Sequence, residues 1–245
     1  MMKDVKREFL RQIQETMQFK FNLFFANFSI FIMVSSYLHY FEESQNKFTL
    51  FCLLFTWYFT SHSITHPTFF IEDDIYDRTL ISVIQSKKSV VHVLLFKILV
   101  QILIDLIKAI PIFLILSFLS DITFPASIVE IFVIVLICLL VILILYGLGF
   151  CLSSFCLTLN RTSSFTSLLS YFILFFTGIL KPFDGFLGIL GHIFPFYTLR
   201  EFIHRPSITE VLIILWYGVV YWSIGFVLFH IFLKMAKKKG NIFHV

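Results

Sequence analysis

The sequence predicts an all-α integral membrane protein with six transmembrane helices, an amino-terminal amphipathic interfacial helix and an external re-entrant hairpin before the sixth span. Hydrophobic residues make up 58% of the 245 residues and charged residues only 14%. The mean hydropathy is +0.91. A chain with so little polar surface cannot solvate a globule of this size, so we place it in a bilayer.

Six apolar runs are long enough to cross a membrane, because about 20 helical residues rising about 1.5 Å each span a hydrocarbon core of about 30 Å. They are Phe21–Phe41, Phe48–Ile71, Ile98–Ser120, Ile131–Leu157, Thr162–Leu180 and Val211–Leu233. The spans occupy nearly the whole chain. We therefore predict an interfacial helix over 1–20 and one membrane domain over 21–245, without a catalytic soluble domain.

The interfacial helix is predicted from a repeat of apolar residues. Val5, Phe9, Ile13 and Met17 recur every four positions, and charged residues occupy the other face. The run Phe21–Phe41 is too long for the core of a signal peptide and lacks a small-residue cleavage site after it. We interpret it as a retained first span.

The distribution of positive charge predicts the orientation. With both termini in the cytoplasm, 14 of the 19 Lys and Arg residues lie inside, four lie outside and Lys108 lies in the membrane. Short cytoplasmic loops collect Lys and Arg, so this bias supports the arrangement. It places the segment 72–91 inside the cell and the segment 181–210 outside.

The second span carries polar residues that are costly in lipid unless they face other helices or water. Ser61, His62, Thr65 and His66 lie in its cytoplasmic half. The two histidines are four residues apart and share a helix face, which is the spacing of a two-histidine metal pair. HSITH contains no glutamate and no third ligand, so we favour a polar cavity lining over a metal site.

The third span carries a charged stripe. Lys97, Gln101, Asp105 and Lys108 follow at spacings of four, four and three residues, so they share one helix face. We predict that Asp105 and Lys108 neutralise each other as a buried pair. The alternative is a charged patch on a translocation route.

Two further segments indicate how the spans pack. Gly147 and Gly149 near the end of the fourth span permit close approach of a neighbouring helix. The segment 181–210 is too apolar for a free loop and too broken by Pro and Gly for a span. It predicts short helices sheltered by neighbouring protein in the outer leaflet.

Sequence motifs for catalysis are absent. The sequence contains no GxxxxGK[ST] phosphate loop and no GxSxG, HExxH or CxxC spacing. We therefore expect no enzyme activity from this chain itself.

The order of these features resembles the type-2 permeases of ABC transporters over nearly the entire chain. The resemblance rests on the amphipathic first helix, EDDIYDRTLISVIQS after the second span, GLGFCLSSFCLTLNR closing the fourth, and GILKPFDGF and FPFYTLREF before the sixth. In that family the segment after the second span holds a coupling helix that sits in a groove of a separate ATPase subunit.

The resemblance implies roles for two sets of residues. The coupling residues would be Glu72, Asp73, Asp74, Asp77, Arg78, Thr79, Leu80, Ile81 and Ile84. In this set Leu80, Ile81 and Ile84 would offer an apolar face to the partner groove, and the acidic residues would orient it. Arg78 stands where the family usually has glycine. The external re-entrant hairpin would include Pro195, Tyr197, Arg200 and Glu201.

The expected function is ATP-driven export of an amphipathic or hydrophobic substrate, such as a small membrane-active peptide, a drug or a lipid-like molecule. We expect two ATPase subunits that bind ATP and Mg, and a second permease chain, identical or related. Ser61, His62, Thr65 and His66 would line the pathway. We expect no cofactor or metal in this chain and no nucleic-acid partner, and a location in a bacterial plasma membrane in contact with lipid.

Two other functions compete with this expectation. One is a proton-coupled secondary transporter that uses Asp105, Lys108, His62 and His66. The other is an intramembrane enzyme with a metal on the two histidines.

Overall fold

A computed structural model of the chain describes residues 9–11, 13–14, 18, 20–41, 46–85, 89–159, 161–176, 178–179 and 186–239. The helices, in chain order, are α1 (Lys20–Tyr40), α2 (Lys47–Tyr76), α3 (Thr79–Gln85), α4 (Val90–Leu119), α5 (Ile128–Leu159), α6 (Ser163–Phe176), α7 (Phe186–Gly191), α8 (Phe196–His204) and α9 (Ile208–Lys239). No strand occurs in these ranges. The predicted all-α class is confirmed.

Each of the six predicted spans coincides with a helix, although the helices do not keep the predicted bounds. Three of the described helices, α4, α5 and α9, are long and apolar enough to cross a membrane. Polar residues in its second half make α2 less apolar than these three, and it continues through Pro67 as far as Tyr76. Helix α6 has 14 residues, about 21 Å at the helical rise, which is shorter than a bilayer core of about 30 Å.

The predicted interfacial helix over 1–20 lies mostly outside the described residues. Where the backbone is described, at 9–11, 13–14, 18 and 20, it is helical. The predicted re-entrant segment contains the short helices α7 and α8, and its first residues, 181–185, also lie outside the described ranges.

Helix α5 forms the centre of the bundle and packs against α2 on one side and α9 on the other. A Cβ atom on Gly149 would lie 1.8 Å from the carbonyl oxygen of Ser63, so α5 and α2 touch backbone to backbone. On the α9 side, the ring of Phe150 stacks on Phe229 with centroids 4.8 Å apart. The predicted close approach at Gly149 is confirmed, and it holds the polar half of α2 against the middle of the bundle.

Candidate functional site

The polar half of α2 borders a cavity of about 250 Å³ between α1, α2 and α6. Its wall includes Ser61, His62 and Thr65 from α2. The hydroxyl groups of Ser61 and Thr65 donate to backbone carbonyls within their own helix, each at 2.7 Å. These two hydroxyls therefore make the cavity wall polar without being left unpaired themselves. His66, which was predicted to line the same route, is not part of this wall.

The two histidines of α2 meet the carboxylate of Asp105 on α4. His62 Nδ1 lies 3.0 Å from Asp105 Oδ2, and His66 Nε2 lies 3.9 Å from the same oxygen. Gln101 Nε2 donates to the other oxygen, Asp105 Oδ1, at 2.8 Å. Asp105 is 0% exposed. We call His62, His66 and Asp105 the His–Asp cluster.

These contacts differ from the Asp105–Lys108 pair that the i, i+3 spacing predicted. Among the described residues, the groups that approach the Asp105 carboxylate within 4.0 Å as ionic or hydrogen-bonding partners are His62, His66 and Gln101. The reason is that α4 turns this side of its polar stripe toward α2. Two imidazoles and an amide from that interface therefore reach the carboxylate more closely than the lysine on the same helix.

The polar stripe of α4 makes a second contact with α2, at Lys97. Lys97 Nζ donates to both carboxylate oxygens of Asp74, at 2.9 and 2.8 Å. The same amino group lies 5.8 Å from the ring centroid of Phe70, within cation–π range. The carboxylate Oδ1 of Asp74 also accepts the Thr79 hydroxyl at 2.9 Å. Asp74 therefore joins α2, α3 and α4.

We call residues Glu72 to Gln85 the elbow, because the chain turns sharply there between α2 and α3. The turn has Asp77 as the C-cap of α2 and Arg78 after it with φ 59°. That left-handed conformation favours glycine, and for other L-residues it costs roughly 1–2 kcal/mol. The family's usual glycine at this position thus has a physical reason, and Arg78 keeps the turn despite the cost.

The apolar face of α3 packs largely against its own chain. Leu80 is 1% exposed, and Ile81 and Ile84 pack partly buried against the hydrophobic core. Leu80 is therefore covered within the chain, whereas Ile81 and Ile84 keep partly exposed side chains. The contact of these three residues with an ATPase stays a prediction, because amphipathicity shows that a face will be covered but does not show by which chain.

The exposed surface of the elbow is polar apart from one tyrosine. Asp73, Asp77, Arg78 and Thr79 are exposed, and the side chain of Tyr76 is 74% exposed. Although Asp73 is exposed, neighbouring protein partly desolvates its carboxylate, and this effect raises its pKa, with smaller contributions from the Asp77 and Asp74 carboxylates.

Glu72 faces away from this surface and caps another helix. Its Oε1 accepts the backbone N–H groups of Thr162 and Ser163 at the start of α6, the second at 2.8 Å. A carboxylate at this end of a helix is favourable because it satisfies free amides and opposes the helix dipole. Glu72 therefore fixes the end of α2 to the turn between α5 and α6, beside a groove of about 920 Å³.

The segment before α9 is held by a buried arginine. Pro195 is the N-cap residue that precedes α8. Arg200, 6% exposed, donates through Nη2 to the carbonyls of Gly178 and Ile179, the second at 3.2 Å. The ring of Tyr197 contacts that of His192 with centroids 4.2 Å apart.

The remaining predicted residue of that segment, Glu201, is half-buried. Reasoning from sequence missed two anchors of the same segment. The hydroxyls of Tyr217 and Tyr221 on α9 donate to the carbonyls of His192 and Ile193. Tyrosines on an apolar span are common, so no signal in the sequence marked these two.

The chain belongs to the ABC-2 type transporter family, whose sequence model matches residues 4–201. Neither a curated protein nor a solved structure gives a significant match to the chain. The family places the protein in a membrane as a permease component of an ABC transporter, and the permease domain is not itself catalytic. The resemblance predicted from the sequence is confirmed.

Proposed function

We propose that this chain is the permease subunit of an ABC exporter that moves an amphipathic or hydrophobic substrate out of the cell. The observation that carries the proposal is the family match over residues 4–201. The proposed assembly contains two ATPase subunits, which hold ATP and Mg, and a second permease chain, identical or related. The chain would cross the plasma membrane six times with both termini in the cytoplasm.

The cavity between α1, α2 and α6 supports a substrate pathway at this place. Polar groups from Ser61, His62 and Thr65 share its wall with the rings of Trp57 and Tyr171. Such a mixed wall suits a molecule with both polar and apolar parts. A volume of about 250 Å³ is small for a peptide, so the facing cavity of the second permease chain would complete the route.

The exposed surface of the elbow is the proposed contact for the ATPase subunit. Tyr76 is an exposed aromatic residue, and Asp73, Asp77 and Arg78 close to it in sequence are exposed as well. Aromatic side chains often dominate binding energy, and surrounding charges orient the partner. Movement of this contact when ATP closes the ATPase subunits would pass through Asp74 and Lys97 to α4 and rock the bundle between its two states.

Reconstitution of the full chain with an ATPase subunit in proteoliposomes tests the proposal. We expect the two chains to co-purify and an amphipathic peptide to stimulate ATP hydrolysis and to move in an ATP-dependent way. Tyr76→Ala should weaken co-purification and abolish the stimulation. The matched control is Tyr40→Ala, since Tyr40 is equally exposed, at 78%, but lies at the end of α1. A complex unaffected by Tyr76→Ala would rule out this surface as the contact.

The His–Asp cluster favours a second candidate, a proton-coupled secondary transporter. Titratable groups buried between spans are typical of proton pathways, and His62 belongs both to the cluster and to the cavity wall. In this case transport would continue in vesicles depleted of ATP and stop when the proton gradient collapses. The opposite pattern would support the exporter.

A further inference from the structure

We propose that His62, His66 and Asp105 bind a divalent transition-metal ion of the zinc class, which links α2 to α4. The inference goes beyond transport and does not depend on the ATPase partner. Imidazole nitrogens with one carboxylate oxygen are a donor set that suits Zn²⁺ and neighbouring first-row ions. The histidine spacing alone lacked a third ligand, and the fold supplies it from another helix.

The distances fit one ion. Zinc bonds of about 2.0–2.2 Å at tetrahedral angles place neighbouring ligand atoms about 3.3–3.6 Å apart. The distances from Asp105 Oδ2 to His62 Nδ1 and His66 Nε2 are 3.0 and 3.9 Å, and donor atoms of the three residues all lie within 4.8 Å of one another. Binding of an ion would lengthen the first of these contacts and shorten the second, each by about 0.3–0.6 Å.

The two closest donor atoms are buried and poorly paired. Among the described residues, neither His62 Nδ1 nor Asp105 Oδ2 has a hydrogen bond of good geometry, although the atoms are 3.0 Å apart. Buried polar atoms of this kind are costly unless a partner satisfies them. A metal ion bound by both atoms removes that cost and adds positive charge beside the buried carboxylate.

The surroundings orient the carboxylate and leave one position open. The Gln101 amide holds Asp105 Oδ1 at 2.8 Å, as outer-shell groups do at metal sites. The Tyr58 ring packs on His62 with centroids 4.6 Å apart. Since His62 also borders the cavity, the fourth ligand would be water or a donor atom of a molecule in that cavity.

Lys108 provides a substitution that should strengthen metal binding instead of weakening it. It lies three residues after Asp105 on α4, and its positive charge opposes a bound cation. Lys108→Met should therefore strengthen metal binding. If the cluster is only an imidazolium–carboxylate pair, the substitution will not change metal binding.

The test uses the full chain purified in detergent, stripped with a chelator and equilibrated with Zn²⁺. We expect one tightly bound ion per chain by elemental analysis. His66→Ala and Asp105→Asn should abolish it, and Gln101→Leu should weaken it roughly ten- to a hundredfold. His230→Ala, which removes an exposed histidine of α9, is the matched control and should retain the ion.

X-ray absorption of the zinc-loaded wild-type chain provides a measurement that needs no variant. It should show nitrogen and oxygen ligands with the signature of two imidazoles, and Co²⁺ in place of zinc should give the strong visible bands of a tetrahedral site. A chain that retains no zinc, or retains it equally in His66→Ala, would leave the cluster as an ion pair and overturn the proposal. A spectrum without two imidazoles would overturn it as well.

Discussion

The close contact of α5 with α2 makes Gly149→Ala the most informative substitution for the fold. A Cβ atom there would lie 1.8 Å from the backbone oxygen of Ser63, whereas ordinary contact begins at 3.4 Å. No flexible side chain can move aside, because the obstacle is backbone. The two helices must therefore separate by most of that difference at this point.

Such overpacking typically costs about 1–3 kcal/mol, reduced by up to about 1 kcal/mol because alanine is the better helix former. The assay is the thermal unfolding midpoint of the purified chain, followed by tryptophan fluorescence and by the fraction that remains monodisperse after heating. We expect a lower midpoint for Gly149→Ala. We also expect weaker pairing of His62 with Asp105, because His62 is next to the displaced Ser63.

Gly218→Ala is the matched control. A Cβ atom on Gly218 would meet only side-chain atoms of Ile144, the nearest at 3.0 Å. That side chain can rotate away, so the gain in helix propensity should leave the midpoint unchanged or slightly higher. Equal midpoints for the two variants would refute the backbone contact between α5 and α2.

Three further predictions concern the elbow, and all use the same thermal assay. Glu72→Ala should cost about 1–2 kcal/mol because it removes the cap of α6, while Asp73→Ala should leave the stability unchanged. Equal effects of the two substitutions would show that the cap is unimportant. Arg78→Gly should stabilise the chain by roughly 0.5–1 kcal/mol, because it removes the strain of the left-handed conformation, and this gain exceeds the entropy that glycine adds to the unfolded chain. Arg78→Val should destabilise the chain. The reverse order of stabilities would contradict φ 59° at this turn. Leu80→Ala should cost about 2–5 kcal/mol because it leaves a cavity, whereas Ser82→Ala should have a negligible effect. A Leu80→Ala chain with normal stability that no longer couples to the ATPase would instead show that Leu80 contacts the partner.

The sequence predicted much of the fold because the signals are local. Apolar runs of membrane length located the six helices that match the predicted spans, and small residues located the close contact at Gly149. Arg78 stands where the family usually has glycine, and the structure shows that this position has a positive φ. The predicted ends of the helices were less accurate, because an apolar run shows which residues suit lipid and does not show where the helix ends.

The candidate site was predicted only in part. Spacing placed His62 and His66 on one face of α2, and Lys97, Gln101, Asp105 and Lys108 on one face of α4. The structure bears out the shared face for the two histidines and for Lys97, Gln101 and Asp105. The partners of those faces could not be read from the sequence. Glu72 was predicted to meet another protein, and it caps α6, 90 residues further along the chain.

What the sequence by itself determined is therefore the set of helices, the membrane setting and the faces that carry polar groups, because these depend on neighbours within one or two helical turns. Tertiary structure alone decided that Asp105 meets two histidines rather than Lys108, and that Leu80 packs inward. The physical reason is that a charge or an apolar side chain pairs with whatever lies within a few ångströms, and helix packing sets that distance independently of separation along the chain.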